Sequence, residues 1–461
     1  MYEPTLRRAA DLALDYLSRV PELTVREDAS LEELRAALQV PLNDAPLPPL
    51  EVVEHLAAAV EPGLIASQSP RYFGFVVGGS LDSAMAADWL TTAWDQNSGG
   101  YPVAPSASVA EEVACAWLLD LLGLPETAGV GLTTGCQMAH VTCLAAARHR
   151  VLAGAGWDVE RDGMFGAPEV RVLVGARAHA SVFAALRLLG FGSGRVALIP
   201  VDDEGRMRVS ELERTLGASD QPAIVIAQAG EVNTGAVDAM TEVTRLAREY
   251  GAWCHVDGAF GLWASASPAL RALTRGVEDA DSWATDAHKW LNVPYDCGVA
   301  IVRDRAAHVG AMSSFAGAAY IPGPEQDERN QSEWVPEFSR RARGFTVYAA
   351  IRELGRAGVA DLVERCCAHA QLMAELLGGE KGVTILNDVV LNQVLVRFER
   401  DGRNATDEVM RAVQLEGTCW MSATTWDGER AMRISVCNWR TTEDDIRRSA
   451  AAILAQAGVA V

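Results

Sequence analysis

The chain has 461 residues, almost half of them apolar, and a formal net charge of −21. That length sets an expectation of roughly two to three domains, and the apolar share supports a large buried core. The acidity, with no run of lysine and arginine interleaved with aromatics, argues against a nucleic-acid partner. No segment approaches the roughly 20 uninterrupted apolar residues of a membrane span. The nine cysteines are scattered without a CxxC spacing, so neither a zinc site nor a disulfide framework is expected. A reducing cytoplasm is the simplest home for such a chain.

The first stretch, MYEPTLRRAADLALDYLSRV, carries charges every few residues and reads as an amphipathic helix rather than a signal peptide. The proline-rich PLNDAPLPPL (41–50) marks a joint after it. From about residue 110, helical runs such as ASVAEEVACAWLLDLLGL alternate with short apolar runs. Strands are expected at 170–175, 196–201, 223–230, 252–258 and 298–304. Apolar strands without period-two alternation, separated by helices, predict an α/β fold with a mostly parallel sheet covered on both faces. Ligands of such sheets gather outside the carboxyl ends of the strands.

The polar tract GPEQDERNQSE (323–333) reads as a lid-forming loop or as a solvated linker. After it come one or two helices from 345 to 377, strand-like NQVLVRF and AMRISVCNW, and a closing helix from about 442. The expected organisation is an N-terminal helical segment (1–85), a large domain (86–345) and a small α+β C-terminal domain (346–461).

Asp257 follows the apolar strand AWCHV, where a strand end meets the ligand crevice, although such a carboxylate also caps helices. Lys289 lies in the largely apolar DSWATDAHKWLNVPYDCGVAIV; desolvation is expected to lower its pKa and free a nucleophilic amine, the alternative being a snorkelling side chain. A buried lysine with a distant carboxylate is what pyridoxal phosphate requires, one for the Schiff base and one to keep the pyridine nitrogen protonated. LTTGCQMAHVTCLAAARHR (132–150) opens a helix on small residues and a glycine, either a cradle suited to a phosphate or an ordinary capped helix start. His179, after the strand at 170–175, stands at another strand end, as a ring-stacking or merely satisfied histidine.

These residues resemble the group II pyridoxal-phosphate-dependent amino-acid decarboxylases. The resemblance runs in order from about 68 to 445 through SPRYFGF, WDQN, LTTGCQMAHVT, AQAGEVNTGAVD, WCHVDGAFG, DAHKWLNVPYDCG, FSRRARGF and MRISVCNW. It implies a fold-type-I homodimer with its N-terminal segment packed on the partner and pyridoxal 5′-phosphate as cofactor. Lys289 is then the Schiff-base lysine, Asp257 the pyridinium partner, His179 the residue stacked on the ring and Ala259 the contact beneath it. Gly135, Cys136 and Gln137 are implied to cradle phosphate, with Asp286 and His288 beside it. Phe75, Trp94 and Asn97 fall in the implied substrate pocket, where aromatics equally serve as core. Arg433 matches an arginine that holds the substrate carboxylate, or forms a surface or interdomain salt bridge.

Three departures from the family pattern stand out. Cys136, Gln137 and His140 replace the usual hydroxyl and asparagine residues of the phosphate segment. Glu231 and Val232 replace small hydroxyl or amide residues beside the ring, making Glu231 a candidate proton carrier or clamp for a cationic substrate, or a charge turned to solvent. Between Tyr320 and Trp334 the chain has no tyrosine or phenylalanine, where many of these enzymes carry a protonating tyrosine. The resemblance therefore implies decarboxylation of an amino acid, open to coupling with oxidative deamination. The alternative is β-elimination from a cysteine S-conjugate in specialised biosynthesis, with transamination or a non-catalytic, cofactor-binding role as weaker readings.

Overall fold

The computed structural model describes residues 2–313 and 328–458. The tract expected as a lid thus lies mostly outside the described residues, save for 328–333, where Gln331–Glu333 form one 3-10 turn. The chain divides into two compact units: residues 78–371 with 386–394, and residues 1–77 with 372–385 and 395–461.

The larger unit is built on a seven-stranded sheet: β1 (Gly129–Thr133), β2 (Arg171–Gly175), β3 (Ala197–Ile199), β4 (Ala223–Gln228), β5 (Trp253–Asp257), β6 (Ser282–Asp286) and β7 (Gly298–Val302). The spatial order is β1-β7-β6-β5-β4-β2-β3. All neighbours run parallel except β7, which is antiparallel to both β1 and β6. All five expected strands are present. Every residue of β4 and β5 is buried, which is why they read as continuous apolar runs.

Two strands, β1 and β6, were not expected, because GVGLT and SWATD are poor in branched apolar residues. Packing explains both. A Cβ on Gly129 would meet the Trp334 ring at 2.3 Å, and one on Gly131 would meet the Trp334 carbonyl at the same distance. The small residues are the room that Trp334 occupies. Helix Cys136–Gly154 lies on the sheet through Ala139, Cys143 and Ala146, which share a core with Val172, Val174, Ile224, Ile226 and Ala300. The long helix Arg343–Gly378 is interrupted at Gly355, whose φ of 60° is open to glycine at little cost.

In the smaller unit a sheet runs in the order Tyr72–Phe73, Trp420–Trp426, Glu429–Ser435, Gln393–Arg400, Arg403–Asn404, with Val383–Ile385 also on Gln393–Arg400. Buried Arg71 ties the N-terminal residues into this unit. Its guanidinium donates to the Pro21 and Thr418 carbonyls at 2.8 Å and lies 3.3 Å from Asp445.

Candidate active site

The site forms where β5 and β6 end and helix Cys136–Gly154 begins. Gly298, at the start of β7, lies so close to that helix start that a Cβ on it would stand 2.3 Å from the Gly135 carbonyl carbon. The Cys136 amide donates to Asp286 Oδ1 at 2.6 Å, so a carboxylate already sits at the positive end of the helix. Lys289 Nζ approaches the other oxygen of Asp286 at 3.2 Å. His288 turns Nε2 toward Asp286 Oδ1 at 3.5 Å, accepts the Cys297 amide on Nδ1 and stacks at 4.3 Å on Tyr295. Burial holds the His288 imidazole below its ordinary pKa.

Asp257 closes β5 and accepts the Ala259 amide on Oδ1 at 3.2 Å. Burial alone would raise its carboxyl. The fields of His140, His179 and Lys289 outweigh burial and hold it below the usual carboxylate range. His179 caps helix Ala180–Leu188 with Nδ1 accepting the Ser181 amide, so the ring proton belongs on Nε2.

The Lys289 expectation needs correcting. Burial does push its pKa down, but Asp286 and Asp257 more than reverse this, and the amine is held above its ordinary pKa. Glu231 is corrected too. It is buried, and its carboxylate accepts the Asn233 amide (2.6 Å), the Thr234 amide (2.8 Å) and the Asn233 side chain (2.8 Å). Its oxygens are spent on its own turn, so it is neither turned to solvent nor offered to a substrate.

Gly135, Cys136, Asp257, Ala259, Asp286, His288 and Lys289 are brought together, with His179 within electrostatic reach of Asp257. Gln137 is exposed beside Cys136. Trp94 is half exposed, edge-on to Phe345 at 5.0 Å, and Asn97 Oδ1 accepts the Arg340 amide at 3.1 Å. Asn97 therefore serves the Arg340 turn. Phe75 and Arg433 belong to the smaller unit. There Phe75 is exposed and tilted on Trp420 at 5.4 Å, while Arg433 is buried on its strand opposite Ser422.

Sequence reading passed over His255, Ser282 and Arg340. His255 lies two residues before Asp257 on one strand, so period two puts both side chains on one face, a signal that was available. Ser282 and Arg340 gave no comparable signal.

The residues present suit a phosphorylated pyridine aldehyde. A largely buried amine, a buried carboxylate held ionised, a histidine at a neighbouring strand end and a helix start packed without Cβ atoms are the donor set such a group needs.

Comparison with known proteins agrees. The family model for the pyridoxal-dependent decarboxylase conserved domain matches residues 32–399. An aromatic-L-amino-acid decarboxylase of Bacillus atrophaeus is 27% identical over 455 residues, covering 95% of this chain and 92% of the relative. An L-2,4-diaminobutyrate decarboxylase of Rhizobium meliloti (strain 1021) is 30% identical over 378 residues, covering 79% and 73%. The structure of Oryza sativa TDC with PLP and tryptamine superposes with a TM-score of 0.89 at 23% identity, over 99% of this chain and 97% of that one. At that identity the likeness speaks for the fold.

Proposed function

The chain belongs to the pyridoxal-dependent decarboxylase family, with pyridoxal 5′-phosphate as its cofactor, and on that premise we propose that it removes the Cα carboxylate of an amino acid. The observation that carries this reading is the convergence of Lys289, Asp257 and the glycine-packed helix start on one strand-end crevice. Lys289 would hold the cofactor covalently, Asp257 would keep a proton on its ring nitrogen, and His179 is the residue to cover its ring. Gly135, Cys136 and His288 would face the phosphate. When bound, the cofactor takes up the electron pair left by the broken Cα bond.

The reaction releases carbon dioxide and needs one proton at Cα. Lys289, held protonated by its carboxylate neighbours, and His179 are the donors this chain offers. The lack of a tyrosine or phenylalanine between Tyr320 and Trp334 favours one variant, in which molecular oxygen competes for the electron pair. Amino acid, oxygen and water would then yield aldehyde, carbon dioxide, ammonia and hydrogen peroxide. Trp94 would favour an apolar or aromatic substrate.

Large apolar side chains stand exposed along the N-terminal segment, among them Leu6, Leu14, Leu31, Leu42 and Leu56. Such a surface supports a homodimer in which this segment packs on a second copy. All nine cysteines are free of disulfides and no described helix is long and apolar enough to cross a membrane, which supports a cytoplasmic assignment.

The test is aerobic incubation of the holoenzyme with amino acids and cysteine S-conjugates, following carbon dioxide, ammonia, pyruvate and oxygen. Carbon dioxide with the matching amine is the expected result. Oxygen uptake with aldehyde would establish the oxidative variant, and pyruvate without carbon dioxide would replace decarboxylation by β-elimination.

A further inference from the structure

Behind Asp257 lies a chain of buried polar groups that the reaction above does not use. Trp253, His255 and Asp257 alternate along β5, so period two directs all three side chains to the face that helix Cys136–Gly154 covers. Ser282 on β6 is the direct neighbour of His255. Trp253 Nε1–H donates to Ser282 Oγ at 2.9 Å, and Ser282 Oγ lies 2.9 Å from His255 Nδ1. His255 Nε2 lies 2.9 Å from His140 Nδ1, and the two rings meet edge to face. His140 Nε2 then stands 3.6 Å from Asp257 Oδ1, with Cys136 Sγ, one helical turn earlier, at 3.5 Å. Both imidazoles and Ser282 are fully buried.

We propose that His140 is a positioning residue: its ring, fixed from behind by His255 and Ser282, aims an Nε2–H at Asp257 and keeps that carboxylate ionised and oriented for the cofactor's ring nitrogen.

The Asp257 carboxylate decides the proton placement. If His255 Nε2–H donates to His140 Nδ1, the remaining His140 proton is on Nε2 and points at the carboxylate. If instead His140 Nδ1–H donates to His255, Nε2 can accept only the Cys136 thiol while its lone pair faces the carboxylate, the less favourable arrangement. The first arrangement puts the proton on Nε2 toward Asp257. At 3.6 Å this is a charge–dipole contact longer than a hydrogen bond. It acts where water is excluded, and its effect is greatest there. His255 is held to about 3 by burial and by His140, so it serves as a neutral relay.

Both described contacts to the Asp257 carboxylate fall on Oδ1, which leaves Oδ2 for the cofactor. Cys136, His140 and Asp257 also group within 4.8 Å as a cation's ligands would. Burial, however, pushes the Cys136 thiol well up, and the cofactor competes for Asp257, so the set is unsuited to a metal.

This inference rests on the cofactor assignment above, and the experiment separates the two. Pyridoxal phosphate affinity is measured by tryptophan fluorescence for the wild type, His140→Leu, His140→Gln and Lys289→Ala. Nitrogen-15 histidine spectra are recorded on the cofactor-free wild type. The expected results are a proton on His140 Nε2, affinity at least about tenfold weaker in His140→Leu, which corresponds to about one pKa unit at Asp257, and recovery in His140→Gln, whose amide restores a donor. A wild type that binds no cofactor, or binds it equally without Lys289, would overturn the cofactor assignment itself. Normal wild-type binding with His140→Leu unchanged, or with both variants equally weak, would overturn the role of His140 alone. So would an unprotonated Nε2 in the wild type, a result independent of whether any variant folds.

Discussion

Lys289 Nζ and Asp286 Oδ2 stand 3.2 Å apart at the mouth of the crevice, so the reactive amine is stored as an ammonium beside its own counter-ion. Asp286 meanwhile occupies the first amide of the helix that would face the phosphate. One carboxylate thus bridges the amine and the helix start, the two halves of the cofactor site.

Asp286→Asn removes the largest influence opposing burial, so the Lys289 pKa is expected to fall. More free amine is then present at neutral pH, and the pH midpoint of cofactor capture by the cofactor-free protein moves down. The growth of visible absorbance against pH reads this directly; an unmoved midpoint would sink the explanation. For stability the sign is the reverse. The ion pair contributes fully below the unfolded lysine pKa of about 10.4, and its contribution is lost as pH rises through the higher folded value.

Glu231→Gln keeps one oxygen for the Asn233 and Thr234 amides, which share Oε2, but sets its NH2 against the Asn233 side-chain amide, which loses its acceptor on Oε1. A loss of about 1–3 kcal/mol in urea denaturation is expected. Substrate preference should stay as in the wild type. A shift away from cationic amino acids would restore the clamp role that the geometry removes.

Gly298→Ala drives a methyl into the Gly135 backbone, which cannot yield as a flexible side chain would. The cost is about 1–3 kcal/mol, and cofactor affinity should weaken because the displaced segment begins the phosphate-facing helix. Thermal melts and fluorescence titration test the two halves separately. Lost stability with unchanged affinity would show that the helix start can shift without harm.

Arg340 is fully buried and pairs with the equally buried Glu111 at 2.8 Å, while also donating to the Leu132 and Ser98 carbonyls. Truncation to Ala leaves the buried Glu111 carboxylate only the longer contact to Arg329 at 3.6 Å, for an expected loss of about 3 kcal/mol, the low end for a broken buried pair. Arg340→Lys should recover part of it, since one ammonium cannot reach the same set of acceptors. Equal stability of wild type and Arg340→Ala in denaturant would refute this reading of the FSRRARGF motif.

Much of this was legible in the chain alone. Continuous apolar runs marked β2, β4, β5 and β7, since strands buried on both faces need apolar residues throughout, while β3 was apolar too although Leu198 on this edge strand is exposed. The spacing of Asp257 and Lys289 within such runs pointed to the cofactor. These are local signals, carried by composition and period over a few residues. The tertiary structure decided what depends on neighbours distant in sequence. The strands GVGLT and SWATD exist because Trp334 and the adjoining strands cover them. Lys289 is held protonated because Asp286 and Asp257 outweigh its burial. Glu231 is spent on its own turn, a geometry that a change of residue type does not reveal. His140 and His255, 115 residues apart, meet at 2.9 Å only because a helix lies across one face of a strand. Charge and hydrogen-bond energies depend on distance in space, and the fold sets those distances.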